Sequence, residues 1–100
     1  MRSARFHPEA EFELQAEATY YEEHSKGLGE RFSLEVEAAV KVARTFSYIG
    51  SPYKYGTRRV YPRKFPFSVV YLVRSNEIVV LAIAPFAKRP GYWRSRRRVV

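Results

Sequence analysis

The stretch FPFSVVYLVRSNEIVVLAIA, residues 65 to 84, decides how the chain folds. It holds two runs rich in β-branched and aromatic residues, the composition that suits a pleated, packed strand. Ser75-Asn76 between them forms a two-residue turn that tolerates positive φ at Asn76, so the runs pair as an antiparallel hairpin. Apolar side chains occupy both alternating faces, with Phe67, Val69, Tyr71 and Val73 on one and Val70 and Leu72 on the other. Strands patterned in this way lie in the middle of a sheet, covered on each side.

Upstream, TRRVYP (residues 57–62) reads as a third strand, and SYIGSPYKYGT (residues 47–57) concentrates Gly50, Pro52 and Gly56 and is expected to be a connecting loop. The period changes before that loop. Between residues 8 and 24, Ala10, Leu14, Ala18 and Tyr21 recur at helical spacing, and Phe12, Ala16 and Tyr20 widen the stripe. Pro8 suits a first helical turn, and Glu9 and Glu11 sit where the positive end of the helix dipole favours carboxylates. Gly27 is expected to end this helix in the left-handed conformation, and Gly29 to loosen the chain before the next. Leu28, Phe32, Val36, Ala39, Val40, Ala43 and Phe46 then mark a second amphipathic helix. ARFH, residues 4 to 7, is a short candidate strand.

The order is therefore β-α-α-β-β-β with a basic C-terminal tail. This is an α+β, two-layer domain in which a helical hairpin covers one face of a three-stranded antiparallel sheet. One hundred residues suit a single domain, 1–100, with residues 93–100 as a flexible basic tail.

Net charge is +8, and its distribution says more than its total. Residues 1 to 50 carry six Lys and Arg against nine Glu, a net −3; residues 51 to 100 carry twelve against one Glu, a net +11. Such a field draws acidic partners, nucleic acid or an acidic protein segment, and speeds encounter. The chain has no cysteine, which excludes disulfides and thiolate metal sites and suits a reducing compartment. No secretory signal core and no membrane-length apolar run is present, so a cytoplasmic protein is expected. No Gly-rich phosphate loop, histidine pair at metal spacing or nucleophile motif occurs, and His7-Pro8-Glu9 lacks the partners of a zinc shell. Cofactors, metals and small-molecule substrates are not implied.

FHPEAEFEL and YYEEHSKGLGERF in the helical hairpin, RRVYPRKFPFSVVYLV, and EIVVLAIAPFAKRPGYW together resemble the RelE/ParE toxin superfamily of bacterial type II toxin-antitoxin systems. The likeness is nearer to the ParE-like, plasmid-stabilisation branch and covers almost the whole chain. It implies a toxin neutralised in a hetero-oligomer by a cognate, acidic antitoxin that wraps around it. It also implies one of two targets: DNA gyrase for ParE-like members, or ribosome-bound mRNA for the RelE-like nucleases.

Cleaving RNA through the 2′-hydroxyl needs a base, an acid and cations. The basic half has no histidine or aspartate, and its one carboxylate, Glu77, stands beside the hairpin turn, where solvation suits it. His7 precedes a helix and His24 ends one, positions that suit capping or exposure. The nucleases of the superfamily carry an arginine where this chain has Ser68, and many relatives a histidine where Pro85 stands. Arg89 does align with a functional arginine of those nucleases, and Tyr92 can stand in for their tail tyrosine. The reading is therefore a ParE-like, non-enzymatic inhibitor. The alternative is an mRNA endonuclease using Arg59, Arg63, Arg89 and Tyr92, and a third reading is an inactive toxin-fold adaptor.

Arg58, Arg59, Arg63 and Lys64 cluster around the first long strand, while Lys88, Arg89, Arg94, Arg96, Arg97 and Arg98 follow the last. Strand pairing is expected to gather these groups on one cationic surface, with Tyr92 and Trp93 as aromatic anchors for the target or antitoxin. Trp93 packed inward on the sheet, and RSRRR as a solvated tail, are the competing readings.

Overall fold

A computed structural model describes residues 1–99. The elements are β1 (Ser3–Phe6), α1 (Pro8–His24), α2 (Leu28–Thr45), β2 (Ser51–Pro52), β3 (Arg58–Val60), β4 (Phe67–Val73) and β5 (Glu77–Pro85). Short 3-10 turns cover Lys54–Gly56 and Arg94–Val99. The α+β class and the helical hairpin agree with the sequence, but the sheet has five strands, in the order β1-β5-β4-β3-β2, where three were expected. Two short segments account for the difference. Ser3–Phe6, at the candidate strand ARFH, joins the sheet by adding to β5 in parallel, and Ser51–Pro52, inside the expected loop, pairs antiparallel with β3. Proline is tolerated there because β2 is an edge strand and one side needs no donor.

β4 and β5 are interior strands, as their apolar patterning requires. On one side, Phe67, Val69, Tyr71, Ile78, Val80 and Ile83 pack with Phe32, Val36, Ala39, Val40 and Ala43 of α2. Ala10 of α1 is fully buried in this core, and Leu14, Ala18 and Tyr21 pack against it. Phe12 and Tyr20 do not follow them; both are more than half exposed, on the outward side of α1. Phe46 is also exposed, because α2 ends at Thr45 before its side chain can turn inward.

On the other side of the sheet, Val70, Val79, Leu81, Ala82 and Ala84 are covered by Trp93, which has no exposed surface. Burying an indole removes about 200 Å² from water, worth on the order of 5 kcal/mol. The molecule thus has a partial third layer. Within the segment expected to be a flexible tail, Trp93 and Arg96 are packed on the sheet and Arg94–Val99 form a 3-10 turn; Val100 lies outside the described residues. No helix among the described residues is long and apolar enough to cross a membrane.

Gly27 takes the left-handed conformation, φ 86°, but as the residue that caps the start of α2; α1 already ends at His24, capped by Ser25. Gly29 does not loosen the chain: it is the second residue of α2, and a Cβ there would run into the Ala18 carbonyl oxygen and crowd Glu22 Cβ at 2.9 Å. Its bare backbone lets the two helices approach. Glu22 completes the joint, its carboxylate accepting from the N–H groups of Gly27 at 2.9 Å and Gly29 at 3.0 Å. These are two of the donors that the start of α2 leaves unpaired. Gly29→Ala therefore lowers stability despite its better helix propensity. A net loss of about 1–2 kcal/mol is expected, because overpacking against backbone outweighs the propensity gain; urea unfolding measures it, and a variant as stable as the parent would show that the helices can move apart freely.

Candidate functional site

Successive residues of a strand point to opposite faces, and β3 shows the effect on the cationic cluster. Arg58 pairs with Tyr71 and lies on the helix side, where its guanidinium donates to the carbonyls of Tyr48 at 3.0 Å and Gly50 at 2.7 Å. Arg59 points the other way, into a hollow of about 410 Å³ whose wall also includes Lys88, Arg89 and Tyr92. Ser68 and Ala84 form its floor, with Trp93 behind them. Arg63 is exposed on the β3–β4 connection outside this hollow. Lys64 lines a second hollow, with Tyr21, Leu28, Arg31, Phe65 and Pro66 at the end of the helical hairpin. Arg94 lies beyond the first hollow, 4.7 Å from the Tyr55 ring centroid. The expected single surface is thus divided. Arg59, Lys88, Arg89 and Tyr92 come together; Arg58, Arg63, Lys64 and Arg94 stand elsewhere; Trp93 supports from inside.

Within the hollow the Arg59 guanidinium lies 3.9 Å from the Tyr53 ring centroid and 5.5 Å from that of Tyr61. Its Nε is buried and has no hydrogen-bond partner among the described residues. Two electron-rich ring faces stand where a carboxylate would ordinarily be, worth about 0.5–2 kcal/mol each. Among the described residues no Asp, Glu or His lines the hollow, and Lys88 adds a cation 4.1 Å from the Tyr92 ring centroid. The field is positive and unneutralised, so a carboxylate or phosphate entering it gains charge-assisted hydrogen bonds. Tyr53 and Tyr61 were not singled out from the sequence. The alternation of Arg59 with Val60, extended to Tyr61, was the signal for one of them.

The hollow's floor is held by a group that sequence reasoning also missed. β1 stops pairing at Val80, and β5 continues to Pro85 past a bulge between β4 and β5. Two backbone groups there are met by side chains. The N–H of Ile83 donates to Glu13 at 3.1 Å, and Arg96 donates to the Leu81 carbonyl at 2.9 Å. Arg96 and Glu13 also bond to each other through two parallel contacts of 2.9 and 3.0 Å, with side chains only 13% and 16% exposed. Tyr92 donates its hydroxyl to the same carboxylate at 2.7 Å. Burial, and then the Glu13 carboxylate, hold the Tyr92 phenol well above its ordinary range. Burial opposes the charge of Arg96, but Glu13 outweighs it and the guanidinium is held more firmly protonated.

His7 borders this cluster as the cap of α1. Its Nδ1 accepts from the Glu9 N–H at 3.0 Å, which is the capping role its position suggested. Burial, and then the charge of Arg96, push its pKa down against the opposing pull of Glu9 and Glu13. His24 sits on the surface, its ring 4.2 Å from that of Tyr20. Glu77, expected to be merely solvated, is paired with Arg5 at 3.0 Å. Among the described residues no three His, Cys, Asp or Glu gather as a metal site.

Glu13→Ala leaves Arg96 without its partner; loss of one member of a buried pair costs about 3 kcal/mol, read by urea unfolding together with faster proteolysis after Trp93. Unchanged protection would show that the C-terminal segment is held by Trp93 alone. The pH dependence has two signs. His7, lowered below its ordinary 6.5, contributes stability above that pH that is lost as pH falls. Tyr92, raised above its ordinary 10.0, contributes stability below that pH that is lost as pH rises through its folded value. His7→Asn retains a capping oxygen and flattens the stability profile just below pH 6.5; an unaltered profile would assign the acid limb to carboxylates alone.

Comparison with known proteins follows the same geometry. Among curated proteins none matches the chain. A solved structure described as the chromosomal ParDE TA system from P. aeruginosa contains a chain of the same fold, with a TM-score of 0.73 at 23% identity. The match covers 85% of this chain and 96% of that one. The family model for the ParE toxin of type II toxin-antitoxin system, parDE, matches residues 4–90, from β1 through the loop carrying Lys88 and Arg89. The chain therefore belongs to the ParE toxin family of type II toxin-antitoxin systems.

Proposed function

We propose that this single-domain chain inhibits growth by binding a large cytoplasmic target, and that a cognate acidic antitoxin neutralises it. The face around Arg59, Lys88 and Arg89 is the contact surface. DNA gyrase is the target that the ParE resemblance implies. The observation that carries the reading is the hollow's composition: cations and aromatic rings converge there with no side chain suited to take a proton at neutral pH. A surface of this kind recognises carboxylates or phosphates by charge and stacking. A carboxylate-rich antitoxin segment entering it would also release the cost of leaving Arg59 partly desolvated without an acid partner.

A ribosome-dependent mRNA endonuclease is the second reading, favoured by the presence of Arg59, Arg89 and Tyr92 in one hollow. Tyr92 weighs against it. Its hydroxyl is committed as a donor to Glu13 and is held protonated, so it is a poor general base. Arg63, which that reading also used, lies outside the hollow.

The double variant Arg59→Glu/Arg89→Glu is expected to lose growth inhibition on induction while its circular-dichroism spectrum stays that of the parent. Two reversals at one binding face cost roughly 3 kcal/mol, about a hundredfold in affinity. Full toxicity in that variant refutes the surface. On the purified chain, a supercoiling assay is expected to show gyrase inhibition, and a translation assay intact transcripts; cut transcripts reverse the order of the two readings. Absence of any growth defect without antitoxin identifies an inactive adaptor.

A further inference from the structure

The outward side of α2 carries a second apolar line that the core does not use. Leu34, Ala38 and Val42 follow one another at intervals of four, Phe46 continues the row as the residue that caps the helix, and all are exposed: 55% for Leu34, 43% for Val42 and 63% for Phe46. Exposed apolar residues scattered singly need no explanation, but a continuous row does. Rows at spacing four are the ridges by which helices interlock. Ala38, the smallest member, lies mid-row, where two crossing helices come closest.

We infer that this ridge is a self-association surface on which a second copy of the chain packs its own α2 antiparallel, about a two-fold axis at Ala38. Charge selects the occupant. The polar positions of α2 include Glu30, Glu35 and Glu37 against Arg31, Lys41 and Arg44, three of each sign. A surface in balance draws neither a strongly acidic nor a strongly basic partner, unlike the hollow on the far side of the sheet. The order of the charges adds direction. Glu30 and Glu37 precede Ala38, while Lys41 and Arg44 follow it, and by helical geometry these four share one flank of the ridge. A two-fold axis perpendicular to antiparallel helices brings that flank against itself reversed. Glu37 then lies within about 3 Å along the axis of Lys41 in the second copy, by the rise of 1.5 Å per residue. Glu30 and Arg44 come into register in the same way. Parallel packing about a two-fold axis would turn this flank away from its counterpart, so the pairing belongs to the antiparallel arrangement. A two-fold interface must be self-complementary, and this one is in both shape and sign. Leu34 meets Val42 across it, twice.

Light scattering on the size-fractionated full chain, from low micromolar to near-millimolar concentration, tests the inference. The expected mass rises from one chain toward two. Ala38→Glu, at an exposed position outside the core, is expected to weaken association about tenfold or more while circular dichroism stays unchanged. Glu37→Lys and Lys41→Glu each weaken it, and the double exchange restores it. A parent that stays at one chain throughout, whether or not an added antitoxin covers α2, overturns the inference. So does a double exchange no stronger than the single ones, which removes the antiparallel register.

Discussion

The Glu13–Arg96 pair stands where three parts of the chain meet: the middle of α1, the stretch of β5 beyond the reach of β1, and the C-terminal segment. Backbone groups of β5 beyond Val80 have no neighbouring strand on that side and require partners, and β1 turns into α1 too soon to supply them. A carboxylate and a guanidinium take their places, and each satisfies the other. Such a pair is costly to bury unless its remaining hydrogen-bonding capacity is used. Here both carboxylate oxygens accept two bonds, from Ile83, Arg96 and Tyr92, so little of that capacity is wasted. The pair holds the C-terminal segment over the back of the sheet, and Trp93 fills the space beneath.

Covering the second face in this way determines which cations remain available. Arg96 is consumed by the lock, Arg58 by the carbonyls of residues 48 and 50, and Arg97 by the Tyr55 carbonyl at 3.0 Å. Arg59, Lys88 and Arg89 keep their charge directed at an open hollow. The large positive sum of the second half is therefore partly structural. Arg59, Lys88 and Arg89 are the smaller set that lines the hollow, where no carboxylate is present among the described residues.

The hairpin, both helices and the side of the sheet they cover were legible in the sequence, because each rests on periodicity. Phe67, Val69, Tyr71 and Val73 repeat every two residues, and Phe32, Val36, Ala39, Val40 and Ala43 follow the helical turn. β1 and β2 were weak or invisible because four and two residues carry no period, and their pairing is decided by open edges elsewhere. Arg58 and Arg59 were grouped by adjacency, although the strand alternation that revealed the core already put them on opposite faces. Trp93 depended on tertiary competition: a tryptophan among arginines is equally suited to an interface and to an uncovered sheet. The two-faced apolar pattern of β4 and β5 was the clue that something had to cover the second side. Glu13 left no local sign, since nothing distinguishes it from Glu9, Glu11 or Glu17 until β5 is in place.

The two surfaces differ in kind, and the fold keeps them apart. The sheet lies between α2 and the hollow, so nothing that packs on the outer ridge of α2 touches Arg59, Lys88 or Arg89. The balanced charges of α2 suit a partner with the same balance, whereas like-charged basic faces brought together would repel one another. A copy approaching through α2 arrives with its own basic hollow on the far side of its sheet, which keeps the two positive regions apart. Association along the helices thus buries apolar surface without opposing the field of the second half.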